Sequence, residues 1–232
     1  IREAIGGMKG SGALLLPLAG GTANVIARGL GTGGPHLDVL ARLPGMVTRA
    51  LDVGQCAGAP FLMQASAGFD ALVMRELNPF LKRHLGVAGV GLSGIACLFR
   101  YGFPTIQVTV DGLRHDCKGV IVASFPFYAG LYHLGPMVRP DDGKLDVLLY
   151  TGAAHMAAAG FSMALGLGRH LRRPDVKMIQ AATVSIDAPE DAAVQVDGDV
   201  FADRKPIRIG LAGWQVRVMC AQDAPAFAVP ST

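Results

Sequence analysis

The sequence predicts an α+β chain: a short α/β unit over residues 1–42, then a mainly β domain of sandwich type over residues 43–232. Three observations predict this. The apolar run of residues 14–18 has strand character, empties into Gly20-Gly21-Thr22, and is followed over residues 24–30 by the start of a helix. Near Met46 the texture of the chain changes. Beyond it, TRALDVGQC, PFLMQASAGF, TIQVTVDG, KGVIVASFPF, KLDVLLYT, ATVSIDA, AVQVDGDV and WQVRVMC are β-branched and bounded by turn formers, as strands are.

Taken in order, IREAIGGMKG opens as if within a helix, with no initiator Met and no basic-then-apolar leader, so further residues are expected upstream. GTGGPH reads as a loop and LDVLARLPG as a short connection, which places the boundary within residues 35–45. Two helical stretches interrupt the β part: residues 70–77, restarted after Asn78-Pro79 with proline at the first helical position, and residues 153–172. The strands should form a mostly antiparallel sandwich, with residues 14–18 in a separate layer.

The totals exclude several classes. A hydrophobic content of 51% in 232 residues supplies a core and argues against disorder. A formal charge of +3 with scattered Lys and Arg excludes nucleic acid as a partner and suits an anionic ligand or a membrane surface. Mean hydropathy is high at +0.39. The longest uncharged runs, residues 85–99 and 151–168, nevertheless fall short of the roughly 20 apolar residues a transmembrane span needs. They read as core helices or as interfacial segments. Cys56, Cys97, Cys117 and Cys220 lie far apart without a CxxC pair, so neither a zinc site nor a disulfide framework is signalled and a reduced, cytoplasmic protein is expected.

Three Asp-Gly pairs follow apolar segments, at Asp111, Asp142 and Asp197, and each reads first as a β-turn in which both positions take positive φ. Asp111 is only that. Asp142 has Asp141 and Asp146 close by, and Asp197 has Asp199 two residues on, where an extended chain would bring the pair to one face. The glycine turn exposes N–H groups suited to phosphate, yet it lacks the spacing of a Walker loop or a dinucleotide fingerprint. The histidines show no metal-ligand spacing, and His115-Asp116-Cys117 would alternate faces on a strand. Lys82-Arg83 follow an apolar helical face and read as solvated surface.

Together and in order, LPLAGGTANVIARGLG, SAGFDA, SFPFYAGLYHLGPMVRPDDGKLDVLLY and VQVDGD resemble the motifs of the diacylglycerol kinase catalytic domain family, which includes sphingosine kinases and bacterial lipid kinases. The resemblance covers nearly the whole chain. It implies the C-terminal part of an α/β nucleotide-binding domain followed by a β-sandwich, with the active site between them, and a Gly-Gly-Asp-Gly-Thr loop upstream of Ile1. It also implies Asp197 as general base, Asp199 as its acidic partner, and Gly21, Thr22 and Asn24 in the nucleotide site. Asp142, with the backbone carbonyls of Arg139 and Lys144, would hold Mg²⁺, with Asp146 facing away along the strand. Asp70, Lys82 and Arg83 would meet substrate or phosphate. Two departures stand out: Val25 follows Asn24 where many members carry an acid, and Asp199 replaces the usual glutamate. The expected partners are ATP and a lipid alcohol at a membrane surface, for a cytoplasmic, peripherally membrane-associated protein whose assemblies include a homodimer. A kinase of a soluble acceptor, related to NAD kinase, is the second reading, and a non-catalytic lipid- or nucleotide-binding module is the third.

Overall fold

The computed structural model describes residues 1–21, 23–76, 94, 97, 98, 100–128, 132–190, 192–201 and 206–228. Its strands are β1 (Val47–Cys56), β2 (Ala59–Phe61), β3 (Gln64–Gly68), β4 (Ile106–Val110), β5 (Leu113–Cys117), β6 (Gly119–Ala123), β7 (Phe127–Tyr128), β8 (Tyr132–His133), β9 (Leu145–Tyr150), β10 (Val176–Ala181), β11 (Thr183–Asp187), β12 (Val194–Val196), β13 (Asp199–Val200) and β14 (Ile207–Cys220). One six-stranded sheet runs β2-β1-β14-β11-β4-β5, a second runs β10-β9-β6-β3-β12-β13, and β7 and β8 form a separate ribbon. The ladders within both sheets are antiparallel.

The alternation that predicts strands also builds the core. Ile106, Val108 and Val110 of β4 point inward and meet Val120, Val122, Leu145, Val147, Val184 and Ile186 between the sheets. The outer face of the second sheet is covered by α4 (Phe69–Glu76) and by α5 (His155–Gly166), which pack on Tyr101, Phe103, Ile121, Leu148 and Tyr150. Central β9 is therefore buried along its whole length.

The opening residues form α1 (Arg2–Met8), α2 (Val25–Gly29) and α3 (His36–Ala41). The β1/β14 ladder breaks register between Asp52 and Gly54, opposite a stretch in which Gly213 takes φ of 76°. Beyond that break the ribbon becomes the floor for Ile5, Val25, Ile26 and Leu30, which pack on Leu51, Val53, Val216 and Val218.

Several expectations change in detail. Residues 14–18 are not a full strand: Leu15 alone pairs, in parallel with Val218, donating its N–H to Arg217 O (2.9 Å) and accepting from Met219 N–H (2.9 Å). Pro17 has no N–H to continue the ladder, and its carbonyl accepts instead from Thr32 Oγ1 at 2.5 Å. Residues 60–69 divide into β2 and β3 around Leu62-Met63, and residues 214–220 are the end of a strand that begins at Ile207. The helix expected over residues 153–172 stops at Gly166, and after Gly168 at φ 65° a single 3-10 turn, His170–Arg172, follows. The helix expected after Asn78-Pro79 lies outside the described residues.

Candidate active site

Two of the three Asp-Gly pairs are the turns their sequence predicts. Asp111 and Gly112 have φ of 45° and 86°, Asp197 and Gly198 have 50° and 89°, and each pair closes a hairpin, β4–β5 or β12–β13. Asp142-Gly143 differs from expectation, because only Gly143 takes positive φ, at 71°. It lies in the loop before β9, where the Gly143 N–H donates to Asp52 Oδ2 (2.7 Å).

The two hairpins are anchored alike. The Asp111 N–H donates to Thr183 O (3.0 Å) and the Thr183 N–H returns to Asp111 Oδ1 (2.8 Å). The Asp197 N–H donates to Gln64 O (2.9 Å) and the Gln64 N–H returns to Asp197 Oδ1 (3.0 Å). Asp197 also accepts from Met63 N–H (2.9 Å) and Leu62 N–H (3.0 Å). Each carboxylate therefore caps the start of a neighbouring strand. Their surroundings separate them. Asp111 is exposed, and the Thr183 and Ala182 N–H groups hold its carboxyl below the ordinary value. Asp197 is pushed above that value by burial, which outweighs its three N–H donors and the charge of Arg2.

Asp197 lines a cleft of about 570 Å³ together with Arg2, Gly20, Gly21, Asn24, Met63 and Asp199. Residues expected from two motifs, the glycine turn and VQVDGD, are thus brought together. Asp199 is exposed and its Oδ2 lies 3.3 Å from Arg2 Nη2. The glycine turn is closed by its own neighbour: Asn24, at φ 49°, accepts from Gly20 N–H (3.0 Å) and Gly21 N–H (2.7 Å) on Oδ1 and donates from Nδ2 to Gly21 O (2.8 Å). Those two N–H groups, read from the sequence as open to an anion, are engaged by a side chain. Thr22, Lys82 and Arg83 lie outside the described residues.

Asp70 faces a second, largely apolar pocket of about 230 Å³ between the second sheet and α5, lined also by Tyr128, Tyr150, Phe161 and Leu165. Its carboxylate accepts from the hydroxyls of Ser66 and Tyr128 and from Gln195 Nε2 (2.9 Å). Burial, then the Asp70 charge, drive the Tyr128 phenol well above its usual pKa and keep it a donor. Gln195 Oε1 in turn accepts from Gly198 N–H at 2.7 Å. One buried amide therefore connects the Asp70 pocket to the turn that carries Asp197.

The loop around Asp142 is held by residues the sequence reading missed. Asp52, buried on β1, accepts from Gly143 N–H and from Gln215 Nε2 (2.8 Å), and its N–H donates to Pro140 O (2.7 Å). Asp142 Oδ1 accepts from Lys144 N–H (3.1 Å) and Oδ2 from Gln180 Nε2 (3.4 Å), while Arg139 is paired with Asp141 at 3.1 Å. Asp146 does not face away. It is 1% exposed, neither carboxylate oxygen has a hydrogen-bond partner, and burial followed by the charge of Asp142 pushes its pKa up to about 6. Gln180 eases that charge but directs its amide to Asp142 and Lys144. Among the described residues, no group of three or more His, Cys, Asp or Glu could hold a metal.

Arg2, Asp52 and Gln195 carry no spacing signal. Each is a lone polar residue whose role appears only when distant segments meet.

Comparison with known proteins gives one consistent answer. A protein of Pseudomonas aeruginosa PAO1 named "Probable lipid kinase YegS-like" is 28% identical over 238 residues, spanning 99% of this chain and 75% of the relative. A "Diacylglycerol kinase" of Staphylococcus carnosus is 26% identical over 152 residues, covering 64% of this chain and 49% of its own. The crystal structure of a "putative diacylglycerol kinase" of Bacillus anthracis str. Sterne superposes with a TM-score of 0.69 at 18% identity, over 91% of this chain and 70% of that one, which establishes the likeness of fold. The family model for the YegS C-terminal NAD kinase beta sandwich-like domain matches residues 63–220, more than half of the chain. The chain belongs to that family.

Proposed function

We propose that the protein is a lipid kinase that transfers the γ-phosphate of ATP to a hydroxyl of diacylglycerol or a related lipid alcohol. The observation that carries this reading is the Asp70–Gln195–Gly198 connection, which ties an apolar pocket with one carboxylate to the turn bearing Asp197. An acyl-bearing substrate suits such a pocket, with Asp70 and Tyr128 receiving its polar end. Asp197, whose raised pKa makes it the stronger base, takes the hydroxyl proton as the oxygen forms its bond to the γ-phosphorus and the bond to the β-phosphate oxygen breaks, releasing ADP. Gly21 and Asn24 shape the nucleotide side of the cleft, and Asp199, oriented by Arg2, supplies the second acid. Thr22, Lys82 and Arg83 are proposed for nucleotide and phosphate contacts by resemblance alone. The relatives' names support this reading.

The pocket is tested by Asp70→Asn and Tyr128→Phe. Each should lower kcat/KM for a diacylglycerol at least tenfold while KM for ATP changes little. Unchanged kcat/KM in both variants would remove the pocket from the reaction.

Mg²⁺ is proposed for the loop at Asp142, a reading supported by the buried Asp146 carboxylate, whose oxygens lack a hydrogen-bond partner and which feels the Asp142 charge. Asp142 with the carbonyls of Arg139 and Lys144 would hold the ion, which would neutralise charge and order the loop. Without it, Asp146 carries a folded-state pKa above its unfolded value. Its contribution to stability is therefore greatest below the unfolded pKa and is lost as pH rises through about 6. Asp146→Asn should flatten the fall in Tm expected in EDTA between about pH 4 and 7, and Asp142→Ala should reduce the rise in Tm expected from Mg²⁺ in the wild type. Equal Mg²⁺-induced rises would place the ion elsewhere.

A further inference from the structure

Helix α5 is apolar on both faces. Ala158 and Leu165 are buried and Phe161 packs on the Tyr101–Leu148–Tyr150 cluster. On the opposite side Met156 is 83% exposed, Met163 66% and Leu167 63%, at spacings of seven and four that align them in one stripe. Tyr132 lies alongside at Gly166, and Leu171 continues the exposed surface into the next turn. No Lys, Arg, Asp or Glu occurs over residues 151–168. The charge that follows has one sign: Arg169, Arg172 and Lys177 are exposed, and no acidic residue stands between Asp146 and Asp175. An apolar stripe flanked by cations is the surface an anionic bilayer takes up, with the methionines and leucine among the acyl chains and the arginines at the phosphates. The inner face of the same helix, through Ala158, Phe161, Ser162 and Leu165, walls the Asp70 pocket.

We infer that the outer face of α5, Met156, Met163 and Leu167 with Arg169 and Arg172, docks the protein on an anionic phospholipid surface. This deepens the lipid-kinase reading and rests on it: the helix that touches the bilayer is also the wall of the pocket that would receive a lipid from it.

The test is co-sedimentation of the full-length protein with vesicles of phosphatidylcholine containing about 30% phosphatidylglycerol, without ATP. The wild type should bind, more weakly in 0.5 M NaCl and weakly to pure phosphatidylcholine. Met156→Ser/Met163→Ser/Leu167→Ser should lower the partition coefficient by on the order of 10²-fold. Arg169→Glu/Arg172→Glu should lower it at least tenfold and remove the salt dependence. Both variants should keep the wild-type Tm within a few degrees and keep activity on a short-chain diacylglycerol dispersed in detergent micelles. Vesicle binding unchanged in both variants overturns the inference, as does light scattering showing that the triple variant converts a dimer to a monomer while vesicle binding persists. The kinase reading fails separately, by absence of transfer in micelles for wild type and variants alike.

Discussion

Asp197→Asn should reduce phosphoryl transfer by on the order of 10²–10⁴, whereas Asp111→Asn should leave it near wild type. The chain supplies its own control. Both residues sit in a V-x-V-D-G string, both take positive φ, and both carboxylates accept backbone N–H groups from the start of a neighbouring strand. Asn keeps the turn, since Asn-Gly suits positive φ as well as Asp-Gly does. In each variant an amide NH₂ replaces one acceptor oxygen and faces a backbone N–H just before a strand, Leu62 or Ala182, so both lose part of the same kind of cap. Stability should therefore fall in both. Catalysis should fall in one, because Asp197 alone lines the cleft with Asp199 and Arg2. Thermal melts alongside steady-state rates separate the two effects. Equal activity in both variants would assign Asp197 a structural role only and favour a non-catalytic binding module.

Gly54→Ala should unfold or misplace the same site from a distance. A Cβ at Gly54 would fall within the ring of Phe61, which is fully buried in the core. The ring has nowhere to go, and overpacking of this kind costs about 1–3 kcal/mol. For a chain of this size that lowers Tm by roughly 5 °C. Phe61 is followed directly by Leu62, Met63 and Gln64, whose N–H groups hold Asp197, so activity should fall by more than the unfolded fraction explains. Adding Phe61→Leu should restore much of the lost Tm. A Tm within 1 °C of wild type for Gly54→Ala alone would show that the β1–β2 corner yields without disturbing the turn.

The fold class was legible because alternation in TIQVTVDG and ATVSIDA is the pattern of half-buried strands, and the apolar run in KLDVLLYT that of a strand covered on both faces; those segments are β4, β11 and β9. What escaped has physical reasons. Residues 207–213 of β14 contain Gly210 and Gly213, which read as breakers but serve the bend where the β1/β14 ribbon leaves the sandwich. Polar LRHDC gives no apolar face because β5 is an edge strand exposed over most of its length. Residues 14–18 have strand composition, but Pro17 limits their pairing to Leu15. At the site, Asp197, Asp199, Asn24 and Gly21 were legible as motif residues, and the cleft brings them together. Asp52, Gln195 and Arg2 were not, since each acts across more than 90 residues of chain, through contacts such as Asp52 with Gly143 and Arg2 with Asp199.

The most direct test of the account is to incubate the full-length protein with [γ-³²P]ATP and Mg²⁺, offering a long-chain diacylglycerol in mixed micelles and NAD in the same buffer, and to partition the products between organic and aqueous phases. The account predicts label in the organic phase as a phosphorylated lipid that disappears with Asp197→Asn. Label appearing in an aqueous phosphorylated NAD, with the organic phase empty, would contradict it.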